Sequence, residues 1–346
     1  MSYLNMTIWL TEDCNLRCTY CYVSKHPRYL KKEMIPYIAD FFEQQVLLHE
    51  NEILHVDFHG GEPLLNFRLL KHLVHVFSLI GKKYDAVVRY HITTNGTLLS
   101  DDTLNFLIEN DFNISVSVDG QKEQHDSKRK YKDGKGSFSK VFNNLSRVQK
   151  LNKHVRVRMT LTTDTVGYYY ENYKFFFEKG FTGVVAIPDT TQQKWSKTDV
   201  QEYYIQQKKI LSYLRENHLE NFQYYLHNME GCSFRKLGKC DGGKDSFQIS
   251  TTGMIYPCSM IVGNLKFSIG NVVDGLDNQK VAAFAEEYEI DNLACSDCIL
   301  KDRCDGNRCK YINYAVNEDF HRASGAMCNI HQKDYHLLKE MLQYGK

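Results

Sequence analysis

Three cysteines stand close together near the start of the chain, in Cys14-Asn15-Leu16-Arg17-Cys18-Thr19-Tyr20-Cys21. Three thiols within eight residues are an odd number in too tight a loop for a disulfide framework. Thiolates are soft ligands that suit zinc and iron–sulfur clusters. A closed structural zinc site takes four protein ligands, and nothing near Cys21 supplies the fourth, so a zinc knuckle here would need a ligand from far along the chain. A 4Fe–4S cluster held by three cysteines instead leaves one iron open to a small molecule. That is a catalytic arrangement.

Other short stretches could do chemistry beside it. His59-Gly60-Gly61-Glu62-Pro63 closes an apolar, strand-like run; a glycine pair is a common turn, but it also lets backbone approach a ligand closely. Thr93-Thr94-Asn95-Gly96 and Ser115-Val116-Ser117-Val118-Asp119-Gly120 end two further strand patterns. They are good turn formers, yet side chains two apart share a face, so Thr93 with Asn95, and Ser117 with Asp119, could point together. His125-Asp126 and Arg129 follow, Arg129 within the charged run KRKYKDGK, where a solvated loop is the plain alternative.

These residues resemble the radical S-adenosylmethionine (SAM) enzymes, whose signature is C-x-x-x-C-x-aromatic-C, with Tyr20 as the aromatic residue. G-G-E-P after the second strand, T-N-G and S-x-D-G are similar to that family's further elements. The resemblance implies that Cys14, Cys18 and Cys21 hold a 4Fe–4S cluster whose open iron is chelated by the amino and carboxylate groups of SAM. It implies that Tyr20 lies near the adenine. Carbonyls of Gly60, Gly61 and Pro63, with the Glu62 carboxylate, would accept bonds from the SAM ammonium. Asn95 and Ser117 are expected near SAM, and Arg129 is expected to partner its carboxylate.

Eight more cysteines fall after residue 231, and none falls between Cys21 and there. Such segregation marks a separate domain stapled by metal, and Cys295-Ser-Asp-Cys298 alone would suit a zinc ribbon. The whole order resembles the SPASM extension of peptide-modifying radical SAM enzymes: Cys240, Gly253-Met-Ile-Tyr-Pro-Cys258, then Cys295, Cys298, Cys304, Cys309 and Cys328. By that pattern one auxiliary 4Fe–4S cluster takes Cys232, Cys240, Cys258 and Cys309, and a second takes Cys295, Cys298, Cys304 and Cys328. With the first cluster, all eleven cysteines are used. Four residues separate Cys304 from Cys309 where the family usually has three.

The elements that must position these groups can be read from periodicity. Residues 4–11 alternate apolar and polar side chains as a strand does, and further strands are expected near 53–58, 86–93, 113–119, 154–162 and 182–187. Helical patterns lie near 31–50, 65–80, 101–110, 137–151 and 169–179. This alternation argues for an α/β fold with a parallel sheet, and six repeats suggest a partial (β/α)6 TIM-like barrel, in which chemistry sits on loops after the strand C-termini. At helical spacing Tyr169, Tyr173, Phe176 and Phe177 form a core stripe rather than a base-stacking patch. The expected organisation is a barrel over residues 1–195, a bridging helical segment over 196–230 and a cysteine-rich domain over 231–346.

Composition narrows the class. The 42% hydrophobic and 25% charged content is that of an ordinary globular chain, and no apolar run approaches the roughly 18 residues of a membrane span. There is no signal-peptide pattern, and so many cysteines without one point to metal or redox use in the cytoplasm. A formal charge of +1 gives no electrostatic case for nucleic acid or anionic lipid.

The resemblance implies an oxidoreductase-type peptide maturase: SAM is reductively cleaved, a 5′-deoxyadenosyl radical takes a hydrogen from a ribosomally made peptide, and a thioether or carbon–carbon crosslink follows. An electron donor such as a flavodoxin or ferredoxin is implied. Many relatives grip a leader peptide with an N-terminal winged-helix module; this chain starts at the first barrel strand, so leader recognition is expected from another surface or a separate protein. The nearest rival is an anaerobic sulfatase-maturing enzyme, which makes formylglycine and usually carries Y-P-C-D, whereas here Tyr256-Pro257-Cys258 is followed by Ser259. A non-catalytic zinc-binding module would explain the thiols but not the three strand-end motifs.

Overall fold

Leu4, Met6, Ile8 and Leu10 are completely buried, and the residues between them, Asn5, Thr7 and Trp9, point the other way; Tyr3–Thr11 is accordingly strand β1. The same logic repeats down the chain in this computed structural model, which describes residues 3–48, 53–151, 155–192, 194–218, 220–222 and 236–343. Helix α1 (Ile35–Leu48) is followed by β2 (Ile53–Gly60), α2 (Phe67–Lys83), β3 (Val87–Thr94), α3 (Asp101–Glu109) and β4 (Asn113–Ser117). A short α4 (Lys122–Lys128) precedes α5 (Phe138–Leu151), β5 (Arg156–Leu161), α6 (Tyr169–Glu178), β6 (Val184–Pro188) and α7 (Lys197–Asn217). The six expected strands and the helices between them are all present, their ends shifted by a few residues. Helix α4 escaped the sequence reading because its seven residues, KEQHDSK, carry no apolar stripe.

By contact density the chain forms two units. The first comprises Met1–Val118, His125–Arg158 and Asp241–Ala283. In it β1 pairs in parallel with β2, β2 with β3, β3 with β4, and β4 with the start of β5. The free edge of β1 is taken by β7 (Ser246–Ile249), also parallel; β8 (Met254–Tyr256), β9 (Gly270–Asn271) and β10 (Gly275–Leu276) continue outward antiparallel. Gln248 Nε2 donates to Thr7 Oγ1 at 3.1 Å across the new junction, and Phe247 meets Phe41 of α1 edge-on at 5.5 Å. Residues 241–283 therefore belong with the N-terminal sheet rather than with the cysteine-rich tail expected to begin at 231. An exposed edge strand is a liability, and covering β1 supplies the physical reason for this division.

The helix-facing side of that sheet is the core. Phe58, Tyr90 and Phe112 stack across adjacent strands at 5.3–6.4 Å, and Phe42 of α1 meets Phe77 of α2 at 4.4 Å. Residues Pro63–Lys83 are long and apolar enough to cross a membrane by composition alone, but Leu69, Leu70, Leu73, Val74, Phe77 and Ile80 of α2 are buried in this core.

The second unit holds Asp119–Gln124, Met159–Cys240 and Phe284–Lys346. Its helices include α7, opened by a Ser196–Asp199 capping box, the second half of α8 (Asn278–Glu289), α9 (Asp305–Arg308), α10 (Lys310–Asn317) and α11 (Gly325–Gln343). Tyr169, Tyr173 and Phe176 of α6 are buried as expected, while Phe177 is half-buried against Tyr213 and His218.

Phe77 is fully buried with Phe42 against it. Truncating Phe77→Ala should cost about 3–5 kcal/mol of stability through lost burial plus cavity, and Phe77→Leu clearly less. Urea unfolding of the apo-protein measures both. A loss under about 1 kcal/mol for Ala would mean the α1–α2 contact relaxes to fill the space.

Candidate active site

The cysteine loop leaves the C-terminus of β1 and is gripped from two sides. From β2, Gly61 N–H donates to Thr11 O at 2.9 Å, and Glu62 N–H to Asp13 O at 2.9 Å. The approach is so close that a Cβ on Gly60, at φ +136°, would lie 2.1 Å from Thr11 O, and one on Gly61 would lie 2.2 Å from Asp13 O. Both glycines are thus required by the cysteine loop itself, whatever ligand their carbonyls meet. From the other side, Arg17 N–H donates to Lys130 O at 2.7 Å and Thr19 N–H to Lys128 O at 3.1 Å. The Arg17 guanidinium closes the loop on the carbonyls of Cys14 and Leu16, at 2.6 and 2.8 Å.

Glu62 is completely buried. Its Oε1 accepts from Thr94 Oγ1 at 2.7 Å and from Leu64 N–H at 3.2 Å, and its Oε2 accepts from Asn95 N–H at 2.7 Å. Burial outweighs these bonds and pushes the carboxyl up to about 7. The carboxylate expected to meet the SAM ammonium therefore ties the ends of β2 and β3 together, and the turn's backbone carbonyls remain as acceptors. Asn95 likewise turns toward the cysteines: its Nδ2 donates to Asn15 Oδ1 at 2.8 Å and approaches Cys14 Sγ at 3.6 Å. Cys14 also receives Leu16 N–H at 3.4 Å, and burial pushes its thiol up to about 11.

Arg129 is not in a solvated loop. It is buried at 7% exposure, lies 5.3 Å over the Tyr20 ring and points a guanidinium nitrogen at Cys18 Sγ from 4.0 Å. His125 and Asp126 make this possible without touching the site. His125 Nε2 meets Ser137 Oγ at 2.9 Å, Ser137 Oγ donates to Arg129 O at 2.8 Å, and Asp126 accepts from Phe138 N–H at 2.8 Å. Ser117 is buried at the end of β4, paired in register with Arg158 of β5. Asp119 accepts from Thr160 N–H at 2.9 Å and serves the backbone.

Four residues that the sequence reading passed over gather on the sheet's inner face. Trp9 lies 5.0 Å from the His59 ring, and Tyr22 Oη meets His59 Nε2 at 3.4 Å. Tyr22 leaves 39% of its surface open to water, yet burial pushes its hydroxyl up to about 12, with Cys21, Arg158, Cys258 and a hydrogen bond from Ser259 acting on it after that. Burial, then Arg158, drives His59 down to about 4, so it is a neutral imidazole. His59 Nδ1 and Trp9 Nε1 are buried polar atoms without partners among the described residues, which suits a face awaiting a polar ligand.

In the second unit Cys295, Cys298, Cys304 and Cys328 line one cavity of about 500 Å³ with Leu293 and Leu300. Burial pushes Cys304 up to about 12, its Sγ receiving Gly306 N–H at 3.2 Å. Lys310 is almost fully buried and donates to Asn292 Oδ1 at 2.8 Å; burial, then Cys298, pushes the Cys295 thiol up, with Asn292 and Lys310 opposing. Cys258 follows β8 in the first unit; Cys240 and Cys309 belong to the second. Cys232 lies outside the described residues.

The donor sets fit clusters better than single ions. All ten described cysteines are free thiols, and among the described residues no group of three or more His, Cys, Asp or Glu is gathered tightly enough for one metal ion. A 4Fe–4S cluster binds each thiolate to a different iron and so spreads them wider. N–H donors on Cys14 and Cys304 and cations beside Cys18 and Cys295 favour the thiolates such a cluster requires.

Comparison with known proteins agrees. Residues 9–176 match the Radical SAM superfamily; the chain is an enzyme that carries a radical SAM domain. It is 28% identical over 284 residues to the cysteine-type anaerobic sulfatase-maturating enzyme of Clostridium perfringens (strain ATCC 13124), covering 76% of each chain. It is 24% identical over 288 residues to the antilisterial bacteriocin subtilosin biosynthesis protein AlbA of Bacillus subtilis, spanning 78% of this chain and 57% of that protein. The solved structure of native anSMEcpe with bound AdoMet and Cp18Cys peptide superposes with a TM-score of 0.80 at 22% identity, covering 99% of this chain and all of that one. The α/β radical SAM fold with a cysteine-rich C-terminal region is thereby established.

Glu62 sets a pH signature. Its folded pKa of about 7 lies above the ordinary 4.5, so between these values the folded state binds more protons and stability falls as pH rises. Below that window the contribution is nil, and above it the penalty is constant. Glu62→Gln removes this titration, so from about pH 5 to about 7.5 the variant should gain stability relative to wild type. Urea midpoints of the apo-proteins at the two pH values check this; a constant difference would mean that Glu62 stays ionised throughout.

Proposed function

We propose that this enzyme is a radical SAM peptide maturase that installs a thioether or carbon–carbon crosslink in a ribosomally made peptide. The cluster of Cys14, Cys18 and Cys21 with SAM would supply the 5′-deoxyadenosyl radical that starts the reaction. Arg129 and Tyr20 would hold SAM, and the walled inner face with Tyr22, His59 and Trp9 would take the peptide and keep water from the radical. Cys232, Cys240, Cys258 and Cys309, and the set Cys295, Cys298, Cys304 and Cys328, would each hold an auxiliary 4Fe–4S cluster able to accept the electron left on the product. A flavodoxin- or ferredoxin-type donor and a separate leader-binding protein are the partners this reading implies.

The observation that carries the choice of product is Ser259. Formylglycine formation needs a base beside the substrate, and the position after Cys258 holds a hydroxyl rather than a carboxylate. A neutral Ser hydroxyl is a poor base. The similarity to sulfatase-maturating enzymes favours a second reading, formylglycine formation on a protein substrate, and the product separates the two.

Two outcomes are expected. After anaerobic reconstitution the chain should carry about twelve iron and twelve sulfide, and replacing Cys14, Cys18 and Cys21 by Ala should leave about eight of each and abolish SAM cleavage. Four iron or fewer in the intact protein would remove the auxiliary clusters from this account. Second, an anaerobic reaction with SAM, reductant and candidate peptides from neighbouring reading frames should give a product lighter by two hydrogens, and resistant to alkylation where a cysteine sulfur is crosslinked. Ser259→Ala should keep most turnover, whereas loss of a general base typically costs about a hundredfold or more. A hydrazine-reactive aldehyde would establish the second reading.

A further inference from the structure

The inner face of the first unit's sheet carries an uncompensated positive charge. Neighbouring strands bring His55 beside Arg89 and Asp57 beside His91, while Arg156 lies beside Ser115 and Arg158 beside Ser117. Arg89, Arg156 and Arg158 are all exposed, and none of their guanidinium groups has a hydrogen bond or an ion pair among the described residues. The histidines do not neutralise them: His55 Nδ1 and His91 Nε2 share one hydrogen bond at 2.8 Å, and burial lowers both pKa values. Asp57 is the one carboxyl in the cluster. It is held by Asn5 and by the fields of His55 and Arg156, and burial still moves it toward its neutral form.

Isolated surface arginines are ordinary. Two unpaired guanidiniums two residues apart on one face of β5, Arg156 and Arg158, are not, because each raises the cost of the other, and Arg89 adds charge further along the same face. Burial lowers Arg158, and after the opposing effect of Tyr22, Arg129 and Arg156 lower it further. A planar fork of donors with no partner is suited to a carboxylate or a phosphate taken bidentately, and of these an unmodified peptide supplies the carboxylate.

We propose that this face binds a carboxylate of the peptide substrate, with Arg156 and Arg158 as its main contacts and Arg89 as a further cation along the same face. The inference rests on the reading of the substrate as a peptide and adds its chemical character: an acidic side chain or a C-terminal carboxylate, placed so that the residue to be modified lies toward Tyr22 and His59. Arg156 and Arg158 are specificity-determining residues here and take no part in cleaving SAM.

The test is a binding selection, independent of turnover. Reconstituted holoenzyme saturated with SAM is immobilised and offered random decapeptides containing one fixed cysteine, one pool with a free C-terminus and one amidated; retained peptides are sequenced by mass spectrometry. Wild type should enrich acidic peptides about tenfold over input. R156Q/R158Q should abolish the enrichment, and R156K/R158K, which keeps the charge but loses the bidentate fork, should retain only a part of it. Enrichment in both pools assigns an acidic side chain, and enrichment confined to the free-acid pool assigns the terminal carboxylate. Iron content and circular dichroism confirm that the variants fold. On unmodified protein, an oligoglutamate and not an oligoglutamine should displace a retained peptide. No acidic enrichment by wild type, or equal enrichment by the Gln variant, overturns the proposal. The product of the reaction does not enter this readout, so an aldehyde would correct the reaction type and leave the binding result to stand.

Discussion

The site depends on how close two backbones come. The turn after β2 lies against the cysteine loop at a distance that leaves no room for a Cβ at Gly60 or Gly61, and the loop's other side is hydrogen-bonded to residues 128–130. Three thiols in a free loop would sample many arrangements, and fixing each residue costs about 1–2 kcal/mol of backbone entropy. Here that ordering is already done by the chain. The buried Glu62 carboxylate extends the constraint to the end of β3 through Thr94 and Asn95, and Asn95 passes it back to Cys14. Loop, glycine turn and T-N-G turn are thus one connected hydrogen-bonded body.

That closure explains which residues could be read in advance. The strands and helices were legible because each carries a clean apolar period, as β1 does with Leu4, Met6, Ile8 and Leu10. Motif positions were legible too, but several of their jobs were not. Gly60 and Gly61 look like ligand-cradling glycines, and the structure adds a local requirement that only three-dimensional proximity reveals. Glu62 and Asn95 look like ligand contacts, and their polar atoms are turned into the protein. Arg129, expected beside SAM, stands in a charged run that left a solvated loop as the alternative, and its burial depends on Ser137 and Tyr20. The attachment of β7 to β1 joins residues about 240 positions apart, and no local pattern encodes that pairing. Trp9, Tyr22, His59 and Arg158 were missed for a related reason: singly they are ordinary strand and loop residues.

The inner face is where this chain's individuality lies. A parallel sheet covered by helices on both sides would be apolar on both. Here one face is apolar and the other holds Asn5, Thr7, His55, Asp57, Arg89, His91, Arg156 and Arg158. So much polar surface left open to water contributes nothing to the core, and the fold tolerates it because the helix-facing side and the aromatic stack of Phe58, Tyr90 and Phe112 supply the burial. On the readings proposed above, the radical chemistry would rest on strand ends and loops and the substrate contacts on mid-strand side chains.

Thiol protonation links metal loading to the rest of the fold. Burial pushes Cys14 up to about 11 and Cys304 up to about 12, so without metal both are neutral thiols at physiological pH. Iron binding must remove those protons, and the N–H donors already aimed at the sulfurs then gain an anionic partner. The arrangement is poor for bare thiolates and good for ligated ones. Lys310, desolvated and lowered by its burial, shows the converse, since an ammonium inside the protein is costly until negative charge arrives beside it. Cluster charge near Cys295 would relieve that cost. On the proposed auxiliary-cluster reading, assembly and stability of the cysteine-rich unit would be two aspects of one electrostatic balance among thiolates, iron and the buried lysine.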